Sequence, residues 1–591
     1  MKKKQMKASL LLVSLLTAGF LVTGCTNDDY DFDQIDATMG FGGGELEIPA
    51  SSTMNIPLSD ILELEENGSV KIAANGDYLF QLTGTDATTA SPQISPIHLT
   101  SRSYNHTITL RTSSAAKGTR AAGTHLSFVS PMQQMFVYNG TDAAVKSLKS
   151  AEVADEIVLK INLTLGGLSS AINTIDKATI NLPGYLQISS VNGNGNGVPM
   201  VNGSKITVEN VSTSRNLQLT IKAKKLDFAN QDDYGKVVID NGSITMDGYF
   251  DLGIEAHVTG VPTSALSIGA NVTVNDITLK SATGIFDPEI NITSLGDVAV
   301  TGVPDFLSED GVRADLDNPQ IILSIKNDMD AAAKVSAKVI STKNGQNLAT
   351  VQLPEMHIYK TTVTPVTKIC ICRHKTPELT AQYGAANVYE VSNLATLINQ
   401  HIPDHVQITN VEAKADLSQE MTIEFGNNYK VEPSYEVYAP LAFAEGAVIE
   451  YADDFDGWND DLDELELAEG TYLRLTADAQ NLVPATLIVE ATPLGVDGTD
   501  ISNQIEVNIK QGTVKASADG VTAVTSPLEI ELREKVKGAL QKLDGLSYKV
   551  KGKASHDGTT VTGINLNSKK HTLKLENIKV KLVGKVIGNF N

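Results

Sequence analysis

At 591 residues the chain exceeds what one hydrophobic core organises, and about 150 residues per domain predicts roughly three to five units. Its 70 acidic residues outweigh 47 basic ones, a net charge of -23 that excludes nucleic acid as a partner, because phosphate binding draws on clustered lysine and arginine. Three cysteines are too few for a disulfide framework.

Residues 1–24 have the layout of a secretory leader: lysines at Lys2, Lys3, Lys4 and Lys7, an almost unbroken apolar stretch from Ala8 to Val22, then Thr23-Gly24-Cys25. The stretch falls short of the ~20 residues of a spanning helix, and no later segment is apolar for as long. Val22-Thr23-Gly24-Cys25 resembles the lipobox of bacterial lipoproteins. That resemblance implies a diacylglyceryl group on the Cys25 sulfur, cleavage before Cys25, and acylation (palmitate, for example) of the new amino terminus. Several acyl chains, at about 0.8 kcal/mol per buried CH₂, make a stable anchor. Loss of the four leader lysines takes the net charge from -23 to -27.

Thr26-Asn27-Asp28-Asp29-Tyr30-Asp31-Phe32-Asp33 follows, acidic and unable to pack a core by itself. It is similar to the export signal that sends lipoproteins of the Bacteroidota to the outer face of the outer membrane, which implies a lipid-anchored protein exposed at the cell surface. Residues 25–45 read as an acidic and glycine-rich tether. Its string Gly40-Phe41-Gly42-Gly43-Gly44 lacks the helix that a phosphate loop needs.

Beyond the tether the dominant pattern is alternation between tight turns. Val70 to Leu82 alternates around Asn75-Gly76, a pair suited to a two-residue hairpin with positive φ at both central positions. Asn202-Gly203, Asn241-Gly242, Asp247-Gly248, Asn344-Gly345, Asp519-Gly520 and Asp557-Gly558 predict further turns. The fold class expected is mainly β: tandem antiparallel β-sandwiches or elongated curved sheets with a few short helices. Those helices are predicted after Ser392 (Leu394, Leu397, Ile398, His401 on one face), along Leu532, Val536, Ala539, Leu540 and Leu543 up to Gly545, and over Gly167 to Ile175, each followed by strand-like sequence.

Two internal similarities point to duplication. Val258-Thr259-Gly260-Val261-Pro262 recurs as Val300-Thr301-Gly302-Val303-Pro304. Ile321 to Ala337 matches Leu475 to Ala491, with Asn327 and Asn481 in register and Val335-x-Ala337 answering Val489-x-Ala491, which reads as one strand-turn-strand unit used twice. The expected divisions are an N-terminal β domain over 46–111, a linker over 112–124, central β domains with the repeat over 125–375, a β domain with one helix over 376–495, and a basic C-terminal β domain with one helix over 496–591. The lysines crowding residues 533–591 predict a solvated sheet face, with an anionic lipid head group or an acidic domain as the alternative partner.

Chemistry-bearing patterns are few. Cys370, Cys372 and His374 would share one strand face, and two small cysteines in a sheet interior with Arg373 outside is the favoured reading over a metal site. The acidic run Asp453 to Glu464 offers Asp454, Asp456, Asp460 and Asp463 as Ca²⁺ ligands, but Ala452 occupies the first acidic position of an EF-hand loop. Trp458, the single tryptophan, reads as a packing plug, or as a sugar platform if exposed. No nucleophile elbow, phosphate loop, zinc-protease or dinucleotide motif is present, so neither catalytic residues nor a cofactor are expected. The expectation is a non-enzymatic β-rich protein that binds, adheres or acts as a surface scaffold. Its alternatives are a lipid or hydrophobic-ligand carrier and a glycan-binding or glycan-active surface protein; its partners are the membrane through the anchor, and a protein, glycan or lipid ligand.

Overall fold

The computed structural model describes residues 38–49, 54–62, 64, 68–84, 89–109, 125–259, 266–292, 294–303, 307, 312–398, 401–462 and 466–589. The leader, Cys25, the acidic segment and the predicted linker at 112–124 lie outside them. The described chain is mainly β, in sheets that are antiparallel apart from the short parallel pairing of Val366–Cys372 with Val388–Glu390, and that pack as three sandwiches around the principal hydrophobic cores.

The first strands are β1 (Thr38–Pro49), β2 (Met54–Pro57), β3 (Val70–Ile72), β4 (Tyr78–Gly84), β5 (His98–Ser101) and β6 (Tyr104–Thr109). They correct the expectation of a separate domain over 46–111, because each pair finds its partners in a different sandwich. β1 and β2 pair with the last strand of the chain, β3 and β4 with a sheet of residues 320–440, and β5 and β6 with strands between residues 133 and 286. A strand's backbone N–H and C=O groups must be satisfied wherever it is buried, and here the partners are remote in sequence. The tether is shorter than expected for the same reason: Gly40 to Gly44 belongs to β1, where the register shifts between Phe41 and Gly44.

The first sandwich contains β7 (Gln133–Thr141), β8 (Val145–Thr164), β9 (Thr174–Asn181), β10 (Ser243–His257), β11 (Ser267–Val274) and β12 (Ile277–Phe286). β8 pairs with β11 and β12, β10 pairs with β7 and β9, and β5 joins the two halves by pairing with both β12 and β7. Asp247-Gly248 is not the predicted turn but the middle of β10. Gly248 lies opposite Phe136, and a Cβ there would meet the phenyl ring at 2.3 Å, so glycine serves close packing rather than chain reversal.

The second sandwich contains β13 (Ser294–Ala299), β14 (Gln320–Asn327), β15 (Ala333–Lys343), β16 (Gln346–Gln352), β17 (Val366–Cys372), helix α1 (Pro377–Tyr383), β18 (His405–Ala415) and β19 (Val431–Pro440). The third contains β20 (Val448–Phe455), β21 (Tyr472–Asn481), β22 (Thr486–Gly495), β23 (Thr513–Val514), β24 (Val524–Glu534), β25 (Leu543–Lys553) and β26 (Thr572–Asn589). Their connectivity is the same. In the second, β14 pairs with β17 and β19, β15 with β16 and β18, and β13 with β18. In the third, β21 pairs with β24 and β26, β22 with β23 and β25, and β20 with β25. An N-terminal strand then extends each sheet, β4 beside β19 and β1 beside β26.

The expected divisions between 375 and 376 and between 495 and 496 therefore fall inside sandwiches. Thr376 caps α1, its Oγ1 accepting from Leu379 N at 3.3 Å, with Pro377 as the first helical residue, and Asp497-Gly498 is a surface turn between β22 and β23. The three predicted helices shrink to single 3₁₀ turns, Gly166–Leu168, Leu394–Leu397 and Leu540–Lys542, immediately before or near β9, β18 and β25. Pairing overrides the helical period: Leu532, counted on the second stripe, stays in β24 opposite Leu473. Asn241-Gly242, Asn344-Gly345 and Asp557-Gly558 have positive φ at both residues, as hairpins of this kind require. Asn75-Gly76 departs from this. Only Gly76 is positive there, and Gly76 N donates to Ala73 O, so the loop is a residue longer than predicted.

Candidate functional site

Where the sandwiches meet, the duplicated asparagines act alike. Asn327 Nδ2 donates to Ala331 O at 3.0 Å and its Oδ1 accepts from Met329 N at 3.0 Å; Asn481 Nδ2 donates to Ala485 O at 3.1 Å and its Oδ1 accepts from Val483 N at 2.8 Å. Each turn inserts into the core of the preceding sandwich, Met329 and Ala331 into the first and Val483 and Ala485 into the second. A second crossing follows the same rule: Met421, Ile423 and Tyr429, between β18 and β19, enter the first core, and Leu566, between β25 and β26, enters the second.

The joint between the second and third sandwiches holds a groove of about 690 Å³, and a neighbouring one of about 560 Å³ shares its walls at Ile322, Gln382, Tyr383 and Glu436 but is lined also by Lys368. Both lie within the range of small-ligand sites. Alternation along β14 and β19 makes the floor: Ile321, Leu323 and Tyr435 point into the core, while Gln320, Ile322, Glu436 and Tyr438 face the groove. α1 forms one bank with Gln382 and Tyr383, and the chain around Asp317, Gly563 and Asn565 forms the other.

The groove is acidic. Asp317, Glu378 and Glu436 line the larger part, and no lysine or arginine does. Gln81 Nε2 donates to the Glu436 carboxylate from β4, and Gln382 Nε2 donates to Tyr383 Oη at 3.2 Å. Burial raises the phenol pKa of both Tyr383 and Tyr438, with nearby Asp77 and Glu436 adding to the rise at Tyr438, so both phenols stay neutral donors.

The far bank is tied to β3–β4 by a buried turn. Asn567 Nδ2 donates to Asp77 Oδ1 at 2.7 Å, Asn567 N donates to His571 Nδ1 at 3.0 Å, and His571 is 2% exposed. Burial, helped by Lys570, holds the His571 pKa below its usual value. An unfolded histidine titrates near ~6.5, so the unfolded chain binds the extra proton first and stability falls as pH drops below that value. Melting temperatures measured from pH 7 toward pH 5 should therefore decline less steeply in His571→Gln than in the parent protein.

The residues singled out in the sequence lie elsewhere or play other parts. Cys370 and Cys372 are buried on the outer face of β17, in a small cluster with Ile322, Leu379 and Val388 beneath α1 rather than in the main sandwich core. A hydrogen bond to Cys372, together with burial, pushes the Cys370 thiol far above the usual range. Arg373 pairs with Asp315 at 3.2 Å, and His374 Nε2 lies 3.7 Å from Asp317 Oδ2. Asp454 and Asp456 are exposed, while Asp463 and the Asp460 side chain lie outside the described residues. The described residues bring no three metal-ligating side chains together. Trp458 is 7% exposed and packs in the third core, its loop fastened by Asp544, whose Oδ1 accepts from Gly457 N and Asn459 N at 3.1 Å each. In the lysine-rich segment Lys551 meets Glu490 at 2.9 Å, and Lys549 and Lys574 meet Glu450 and Glu576.

The groove residues themselves escaped the sequence reading. Glu436 and Tyr438 stand out in the sequence by nothing more than alternation around them, and the two banks are assembled from separate stretches of chain around Asp317, α1 and Gly563.

No protein-family model matches the chain, and no curated protein does. Among solved structures the chain is similar to a Parabacteroides distasonis protein described as a "putative secreted protein", at 14% identity and a TM-score of 0.35, over 52% of this chain and 90% of that one.

Proposed function

We propose that the protein is an extracytoplasmic bacterial lipoprotein, anchored to the outer membrane through Cys25 and exposed at the cell surface, where its tandem sandwiches serve as a non-enzymatic binding or scaffold body. The anchor rests on Val22 to Cys25 and the acidic segment after it. The observation that carries the binding role is the open groove at the second joint, set on sandwiches whose interiors are filled by side chains such as Tyr78, Phe80, Phe136 and Phe250. The apolar-lined cavity at the first joint, among Ile292, Ile325, Met329 and Val431, measures about 40 Å³, the scale of one water molecule, which favours surface binding over enclosure of an acyl chain.

Growth of an expressing bacterium with a clickable fatty acid tests the anchor. The parent chain should carry the label and be cut by protease added to intact cells, and Cys25→Ala should lose both label and membrane fraction. An unlabelled parent chain, or one shielded from protease until the cells are lysed, overturns the reading.

A further inference from the structure

We infer that the groove between α1 and the 563–565 segment is a binding site for a neutral, hydroxyl-rich ligand of the oligosaccharide class, an inference that rests on the binding role proposed above. Three features select that chemistry. The first is charge: Asp317, Glu378 and Glu436 without a basic residue repel phosphate, sulfate and uronate groups. The second is the mixture of groups on the walls. Carboxylates only accept hydrogen bonds, the amides of Gln320, Gln382 and Asn565 both donate and accept, and the neutral Tyr383 and Tyr438 phenols donate; sugar hydroxyls complement all of these. The half-buried rings of the two tyrosines add flat apolar surface for the C–H face of a pyranose.

The third feature separates sugars from peptides. The floor is the face of a sheet, not its edge: β14 is hydrogen-bonded to β17 and β19 on its two sides, and β19 to β14 and β4. No main-chain ladder is left there for an extended peptide to join. A basic peptide or amine would be held by converging carboxylates, but the three acids stand on three different elements. Glu436 already accepts from Gln81, and hydrogen bonds from its own backbone and from Thr376 hold Glu378 below the usual carboxylate range.

The test uses the full mature chain, calorimetry and a panel of probes: neutral oligosaccharides of glucose, galactose, mannose and xylose, a heparin oligosaccharide, and a lysine-rich peptide. At least one neutral oligosaccharide should bind with an affinity little changed by added salt. Tyr438→Ala and Glu436→Gln should each weaken it about tenfold or more, whereas Glu209→Gln on the first sandwich should not. Gln382→Ala, an exposed position on α1, keeps the test decisive should Tyr438→Ala fail to fold. Binding of heparin or the peptide alone, binding of no neutral oligosaccharide, or sugar binding indifferent to all three groove variants overturns the inference. Each of these outcomes leaves the fatty-acid labelling of Cys25 free to succeed, so the two readings fail separately.

Discussion

Asn481→Ala should lower the stability of the third sandwich by about 3 kcal/mol and loosen its joint with the second. Asn481 is fully buried, and its amide donates to Ala485 O and Lys515 O while accepting from Val483 N. Alanine removes all three bonds and strands three backbone groups where water does not reach, each costing about 1–3 kcal/mol before relaxation. The turn it holds is the one that carries Val483 and Ala485 into the second core, so the loss should be felt across the joint. Asn327→Ala should act the same way one sandwich earlier, by about 2 kcal/mol, since Asn327 makes two of the equivalent bonds. Three fused sandwiches need not unfold in one step, so the measurement is amide hydrogen exchange by segment rather than a single melting curve. Faster exchange over residues 472–495 in Asn481→Ala, with residues 133–286 unchanged, is the expected pattern. Unchanged exchange at 472–495 would mean that the amide is a bystander.

Those two asparagines also show how far the sequence could be read. Their matching positions revealed a strand-turn-strand unit used twice, and the structure extends that unit to seven strands in identical order, with N-terminal strands added beside the last of each set, β4 beside β19 and β1 and β2 beside β26. What the pattern could not reveal is that the repeated turn belongs to the core of its neighbour, because insertion depends on contacts between segments far apart in the chain. The mainly β class was legible from alternation and turn pairs. The helices were misjudged because a 3.6-residue stripe such as Leu532 to Leu543 is also what a strand followed by a tight 3₁₀ turn leaves behind. The expected divisions at 375/376 and 495/496 fall inside sandwiches for a related reason: they lie beside a helix start, Thr376-Pro377, and a surface turn, Asp497-Gly498, and local chemistry of that kind is the same inside a domain as between domains. The groove was the least legible feature, since its floor, its two banks and the Gln81 that meets Glu436 come from separate stretches of the chain.

Removing β1 should cost the third sandwich several kcal/mol and make the protein self-associate, and a peptide of residues 38–49 should reverse both effects. β1 lies at the sheet edge and pairs with β26 from Thr38 opposite Asn589 to Pro49 opposite Lys579. At about 1 kcal/mol net for each hydrogen bond, a ladder of this length contributes on the order of 5 kcal/mol. A chain beginning at Met54 keeps β2 on β26 but bares the remainder of that edge, and an unpaired edge recruits other strands. Size-exclusion chromatography should show concentration-dependent association of the shortened chain, and hydrogen exchange should show loss of protection along residues 579–589. Adding the peptide should restore monomer and protection by refilling the edge in trans. A shortened chain that stays monomeric and protected would show that β1 only decorates the sheet. The prediction bears on the anchor as well. Cys25 precedes Thr38 by 13 residues, which span at most about 45 Å when fully extended, so a lipid on Cys25 would hold the third sandwich nearest the membrane. Any pull between membrane and body would then pass along β1 in shear against β26, through many hydrogen bonds loaded together, which makes the strand next to the anchor part of the fold it carries.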